Sequence, residues 1–218
     1  MIQPVATTAP IASSGMRDWW LRALLVLQRP RPVFAALRDE GDASASDRSE
    51  PVLAIVLLAG IALVLSTGTA GHLMDDSDYD GLLVAIWAFI AGGIYSVFAY
   101  FIFGGLVHGA VKLLGSQGSY RRTRHVVAFA AVPLALSLIL WPVRLALYGE
   151  DVFRTGGSDA GTGARVFELI GAVFLAWSLY LLLVGIRTVH GWTWARAGAA
   201  VALALGLPVA IGIALGVT

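Results

Sequence analysis

The chain has 218 residues, 58% of them hydrophobic and only 13% charged, so it is no ordinary soluble domain; soluble domains average about 25% charged residues. The formal net charge of +1 points to no partner, because the charges are segregated along the chain. The absence of cysteine excludes disulfides, thiolate metal sites and cysteine nucleophiles.

Met1 to Gly15 holds Ala, Thr, Pro and Ser without a charge and reads as a disordered tail. Residues 16–48 read as amphipathic helices and a linker, and residues 49–218 as a transmembrane domain. Asp18, Arg22 and Arg29 recur near helical spacing, with Trp19, Trp20, Leu24 and Leu27 filling the remainder. This is the pattern of a helix in the headgroup layer. The run Trp19–Leu27 is short, is interrupted by Arg22 and lacks a small-residue cleavage site, so no secretory leader is expected. Arg29-Pro30-Arg31-Pro32 breaks the helix. A second short helix starts with Pro32 in its first turn and presents Val33, Phe34 and Leu37 on one face. That face either docks on a membrane surface or partner, or packs against the ends of neighbouring spans. The second is the default for an amphipathic helix beside a bundle.

Five stretches then lack Asp, Glu, Lys and Arg: Pro51–Met74, Gly81–Val111, His125–Val143, Leu169–Ile186 and Ala197–Thr218. About 20 apolar helical residues cross a bilayer core of about 30 Å, and backbone in lipid must satisfy its own hydrogen bonds. The expected fold is all-α, a helical bundle of five spans. Span two is too long for one crossing; as one helix it would run about 46 Å. It must tilt, project into water or break, and Gly92-Gly93 and Gly104-Gly105 are the candidate weak points. His108 and Lys112 share a face near its end, as a polar gate, a headgroup site or, by default, snorkelling side chains. Pro133, Pro142 and Pro208 predict kinks in spans three and five.

Between spans two and three, Gly115 and Gly118 signal a turn, and Arg121, Arg122 and Arg124 form a cluster without acids. Near an anionic leaflet each such charge is worth roughly 1 kcal/mol; the bland alternative is an orientation signal. Arg144 closes span three and Glu168 opens span four, which suggests an intramembrane ion pair, with independent snorkelling as the equal alternative. Span five repeats small residues at Gly198, Ala202, Gly206, Ala210 and Ala214 and carries Gly212 and Gly216. Such spacing allows close helix approach, expected within the bundle, with a homo-oligomer as the alternative.

Twelve basic residues precede span one or lie between spans two and three or four and five, against three on the other side. Basic loops stay cytoplasmic, so the N-terminus is expected in the cytoplasm, Thr218 on the far side, and the protein in a cell membrane. Of the 15 basic residues 14 are Arg, which together with many Ala and Gly suggests a bacterial source.

Catalytic patterns are scarce. Asp76, Asp78, Asp80 and Gly81 match the first half of a calcium loop, but its twelfth position, a Glu in complete loops, is Trp87. They are a weak metal candidate, and Asp80 reads first as the cap of the next helix. His72, His108, His125 and His190 are scattered, no phosphate-binding glycine loop or nucleophile elbow occurs, and the span centres hold no carboxylate. No cofactor and no enzymatic activity are expected.

Lys112 to Thr123 with its turn at Gly115 and Gly118, then Val126 to Ala131 and Pro133, resembles the Yip (Ypt/Rab-interacting) family of membrane proteins. So do Arg29 to Leu37 ahead of an apolar span, and Trp177 through Gly185, Arg187, His190 and Gly191. The resemblance implies five spans, a cytoplasmic N-terminus and no established catalytic residues. Eukaryotic members are associated with vesicle trafficking and Rab GTPases, a role not carried over to a bacterial member. Two readings of function follow. One is a non-enzymatic scaffold or adaptor that meets proteins or anionic lipids through Arg121, Arg122, Arg124, Lys112, Trp19 and Trp20. The other is a small oligomeric transporter or channel. A filled apolar bundle favours the first, and an aqueous cavity lined by polar residues favours the second.

Overall fold

The structure is a computed structural model, and it describes residues 21, 23–39 and 49–214. The tail, Trp19, Trp20, the 41–48 linker and Gly216 lie outside the described residues, and of Gly212 only the helical backbone is described. Among the described residues the elements are all helical.

Residues 23–28 form a helical segment that buries Ala23 and Val26 and leaves Leu21, Leu24 and Leu25 exposed. Helix α1, Pro30–Asp39, follows with both prolines in its first turn, where a missing N–H is harmless. It buries Val33, Phe34 and Leu37 and exposes Arg31 and Arg38. The amphipathic face is therefore satisfied inside the molecule. The Phe34 ring lies so close to Gly185 that a methyl group added there would meet it at 2.9 Å.

Helix α2, Ser49–Leu65, is shorter than the apolar stretch 51–74 that encodes it. The helix ends where Ser66 donates to the Ala62 carbonyl at 2.8 Å and Thr67 to the Val64 carbonyl at 2.6 Å. Such hydroxyls compete with the helical ladder, and Ala70–Asp75 continues as a 3-10 helix. Helix α3, Gly81–Leu113, opens on Asp80, whose carboxylate accepts the Leu83 N–H at 2.8 Å. It does not break at either glycine pair. Gly92 is a packing notch: an added methyl group would meet the Ile61 backbone of α2 at 2.7 Å, and one on Gly60 would meet the Gly92 carbonyl at 2.6 Å.

The third apolar stretch is helical but interrupted, as α4 (Tyr120–Ala130), α5 (Val132–Ser137) and α6 (Leu140–Tyr148), with a 3-10 turn at Gly149–Phe153. Pro133 sits in the first turn of α5. Ahead of Pro142 the ladder tightens to i−3 bonds, Leu138 to Ala135 and Trp141 to Leu138, at 3.3 and 3.1 Å. Proline cannot donate to the ladder, so both breaks follow from its position. Helix α7, Thr162–His190, ends in a left-handed Gly191 with φ 64°, and the Trp192 N–H returns to the Arg187 carbonyl at 3.0 Å. This is a glycine-terminated cap. Helix α8, Trp194–Ala214, buries Ala197, Ala200 and Ala204. The Gly198, Ala202, Gly206 face expected to pack is the other one: Ala202 and Gly206 are exposed, and a methyl group on Gly198 or Gly206 would meet nothing.

Three helical stretches are long and apolar enough to cross a membrane: Gly81–Leu113, Tyr120–Phe153 and Thr162–His190. Val52–Leu65 and Trp194–Leu207 are shorter apolar helices. Exposed Phe89, Ile90, Phe98, Leu169 and Val173 make an apolar exterior that suits lipid rather than water. The main core joins α1, α2, α3, α4, α7 and α8 around Phe34, Val126, Leu181 and Ile186, and a smaller cluster around Trp141 and Phe153 closes the opposite end.

Candidate interaction surface at the arginine-rich end

One end of the bundle gathers α1, the 114–119 turn, the start of α4, the end of α7 and the start of α8. Helix α3 stops where the chain turns at Gly115, φ 86°. The Ser116 hydroxyl accepts the Gly118 N–H at 3.0 Å and pairs with His190 Nδ1 at 3.1 Å. Ser119 then caps α4 by accepting the Arg122 N–H at 3.3 Å. Arg196 donates through Nε to the Leu114 carbonyl at 3.1 Å and lies 4.3 Å from the Trp192 ring centre, whose ring in turn leans on His190. Three helix ends are thus tied together by side chains that give the turn a fixed shape.

The basic cluster separates into different roles. Arg124 does not belong to the outer surface. Its guanidinium is surrounded by Tyr100, Phe101 and Tyr120 at 5.2, 4.6 and 4.6 Å, its Nε is buried without a hydrogen-bond partner, and Gly104 makes room for its stem. Ring faces attract the cation where no carboxylate is present. Arg121 is exposed and Arg122 half-buried, and both have partners within the protein. Lys112 is exposed, whereas His108, one turn before it, is half-buried and pairs with Thr123 at 3.3 Å.

A groove of about 400 Å³ opens beside this turn, between α1 and the end of α7, lined by Arg31, Arg38, Arg187, Thr188 and Trp192 among others. Sequence reasoning missed it, since Arg187 entered only the charge count and the family resemblance. The readable signal was Arg31 and Arg38, two helical turns apart along the flank of α1 beside Phe34.

A second cavity, about 440 Å³, lies at mid-height among α2, α3, α4, α5 and α7, lined by Val56, Gly60, Phe98, Leu134 and Leu182 among others. Its hydroxyl-bearing members are the buried Ser96, Ser178 and Tyr100 and the exposed Tyr95. Ser96 donates to the Gly92 carbonyl and Ser178 to the Ala130 carbonyl, so neither hydroxyl has a proton left to donate to a solute.

At the opposite end, Arg144 meets a carboxylate other than the expected one. Its guanidinium binds Asp159, with Nε 2.7 Å from Oδ2, and lies 5.0 Å from the Trp141 ring centre. Glu168 is exposed on α7. The loop 149–161 folds back over the end of α6 and brings the nearer acid, so Arg144 needs no partner from α7. Asp75 accepts the Thr155 N–H at 2.8 Å and its hydroxyl, which hold the Asp75 carboxyl below its ordinary value of 3.8. The calcium-like carboxylates do not converge: Asp80 caps α3, Asp76 accepts the Asp78 N–H at 3.0 Å, and no metal-holding cluster forms among the described residues.

A family model described as the Yip1 domain matches residues 24–217. No curated protein and no solved structure matches the chain significantly.

Proposed function

Because the chain belongs to the Yip1 domain family, we propose that this integral membrane protein is a non-enzymatic adaptor. Its five spans place the arginine-rich end in the cytoplasm of a cell membrane, where it meets anionic lipids or acidic protein surfaces. The observation that carries this reading is the mid-height cavity. It is apolar, and the hydroxyls of Ser96 and Ser178 are bonded to backbone carbonyls. A pathway for a polar solute needs groups that replace its hydration, and beyond the two bonded serines this cavity offers only the phenol hydroxyls of Tyr95 and Tyr100. Chemistry that can discriminate a partner is concentrated at the arginine-rich end instead. There Lys112 and Arg121 are exposed on either side of the Gly115–Ser119 turn that Ser116, His190 and Arg196 hold.

The test uses the purified full chain. Replacing Lys112 and Arg121 together by Gln leaves insertion intact, because the other basic residues of that side still set orientation. The variant retains less anionic phospholipid than the parent at low salt, and the difference shrinks as salt is added. Reconstituted vesicles hold an entrapped ion or dye gradient as well as protein-free vesicles do. Unchanged lipid retention together with protein-dependent solute release would replace the adaptor by a transporter.

A further inference from the structure

The groove between α1 and the end of α7 has the donors of an anion site. Arg31 enters from the first turn of α1, and Arg187 and Thr188 from the last turn of α7. Among the described residues no acidic side chain lines it. Arg38, which has its own partner within the protein, adds positive charge at its edge.

Two side-chain atoms of residues lining this groove lack the partners that buried polar atoms usually find; among the described residues Arg124 Nε, enclosed by three rings, is the other such atom. Ser66, Ser96, Thr123, Ser137 and Ser178 each donate to a backbone carbonyl. That is the default for a helical hydroxyl. Thr188 does not: its Oγ1 is buried without a hydrogen-bond partner. The neighbouring Arg187 Nε is also buried and unpartnered, while its guanidinium lies 4.5 Å from the Trp194 ring centre. Buried polar atoms without partners are uncommon and expensive. Two of them on consecutive residues, in the wall of a groove that arginines enter from both sides, are donors that a shift of the covering side chains would offer to an acceptor. The rings of Trp192 and Trp194 beside them are of the kind enriched at headgroup depth.

We propose that this groove binds a phosphate group, with Arg187 Nε–H and the Thr188 hydroxyl donating to its oxygens and Arg31 closing over it from α1. Guanidinium suits phosphate because its planar fork presents parallel N–H donors, which an ammonium group does not. The phosphate can be that of an anionic phospholipid or of a soluble compound. The site deepens the adaptor reading and rests on it for the side of the membrane, but not for its geometry, since its residues are distinct from Lys112 and Arg121.

The experiment titrates the detergent-purified full chain with inorganic phosphate, short-chain phosphatidylglycerol and short-chain phosphatidylcholine, reading heat and thermal protection. Saturable binding of phosphatidylglycerol well above phosphatidylcholine is expected, because the choline cation would face the arginines. Arg187→Gln and Arg31→Gln each weaken it about tenfold or more, as losing a charge-assisted hydrogen bond does. Thr188→Val weakens it less, and Arg187→Lys restores only part. Inorganic phosphate binding as tightly as the lipid, with the same variant sensitivity, supports the site and assigns it to a soluble phosphate. Equal affinity of parent, Arg31→Gln and Thr188→Val overturns it, and those two exposed or conservative changes keep the test valid if Arg187→Gln does not fold. If Lys112→Gln with Arg121→Gln loses lipid while the groove variants do not, the adaptor reading stands and the groove falls. Binding of none of the three ligands also overturns the groove.

Discussion

Arg144 shows what a single side chain reveals that its sequence neighbours do not. It lies in the middle of the short helix α6, toward the end of an apolar helical stretch, where a charge must find a counter-charge or reach water. The carboxylate it takes is Asp159, buried to 5% exposure. Removing one member of a buried pair leaves the other uncompensated, which costs about 3–5 kcal/mol. Arg144→Met and Asp159→Asn are each expected to lose roughly that much in denaturant unfolding of the solubilised protein, while Glu168→Gln stays within about 0.5 kcal/mol. A double-mutant cycle on Arg144 and Asp159 should be strongly non-additive; additive losses would reject the pair. The sequence announced that Arg144 needs a partner but not which one. Asp159 follows Gly156 and Gly157 in a loop without periodicity, and only the folded loop brings it to α6. Arg124 was hidden differently. Tyr120 lies one helical turn away and was legible, but Tyr100 and Phe101 belong to α3, and nothing in the spacing says that they meet.

For the helices, charge-free length located all five apolar segments, because lipid exposure tolerates no other composition. It did not locate their ends. Apolarity is the same in an α-helix and in a 3-10 turn, so 51–74 read as one unit although Ser66 and Thr67 end α2 inside it. The prolines were better guides, and the breaks in α4 to α6 fall beside Pro133 and Pro142. Glycine pairs were ambiguous between hinge and contact. Gly92 and Gly93 separate the two by geometry: a methyl group on Gly92 meets the α2 backbone at 2.7 Å, whereas one on Gly93 meets only the Leu57 side chain at 3.6 Å. Gly92→Ala is therefore expected to destabilise the bundle by about 1–3 kcal/mol through overpacking. Gly93→Ala should be neutral or slightly stabilising in a helix interior. Melting of the two variants in one detergent checks this, and equal behaviour would show that α2 and α3 do not cross at this notch.

For the whole molecule, the arginine-rich end was legible as a charge asymmetry but not as a built surface. Twelve basic residues against three set a side; the ties from Ser116 to His190 and from Arg196 to Leu114 join segments more than 70 residues apart. The proposed topology predicts that reporter fusions at residue 45 and after Thr218 report opposite sides of the membrane. The same side for both would mean that one of the shorter helices, α2 or α8, does not cross.

The unequal lengths of α2 and α3 have a further consequence. At about 1.5 Å per residue, the 17 residues of α2 reach about 26 Å and the 33 residues of α3 about 50 Å. In the arrangement proposed, one side of the protein is shorter than a bilayer core of about 30 Å and the adjoining side is longer. Lipid beside α2 must compress while α3 leans, and each ångström of disagreement costs a fraction of a kcal/mol. In that arrangement the mismatch is least where the membrane core is close to the length of α2, since α3 can meet a thin core by tilting.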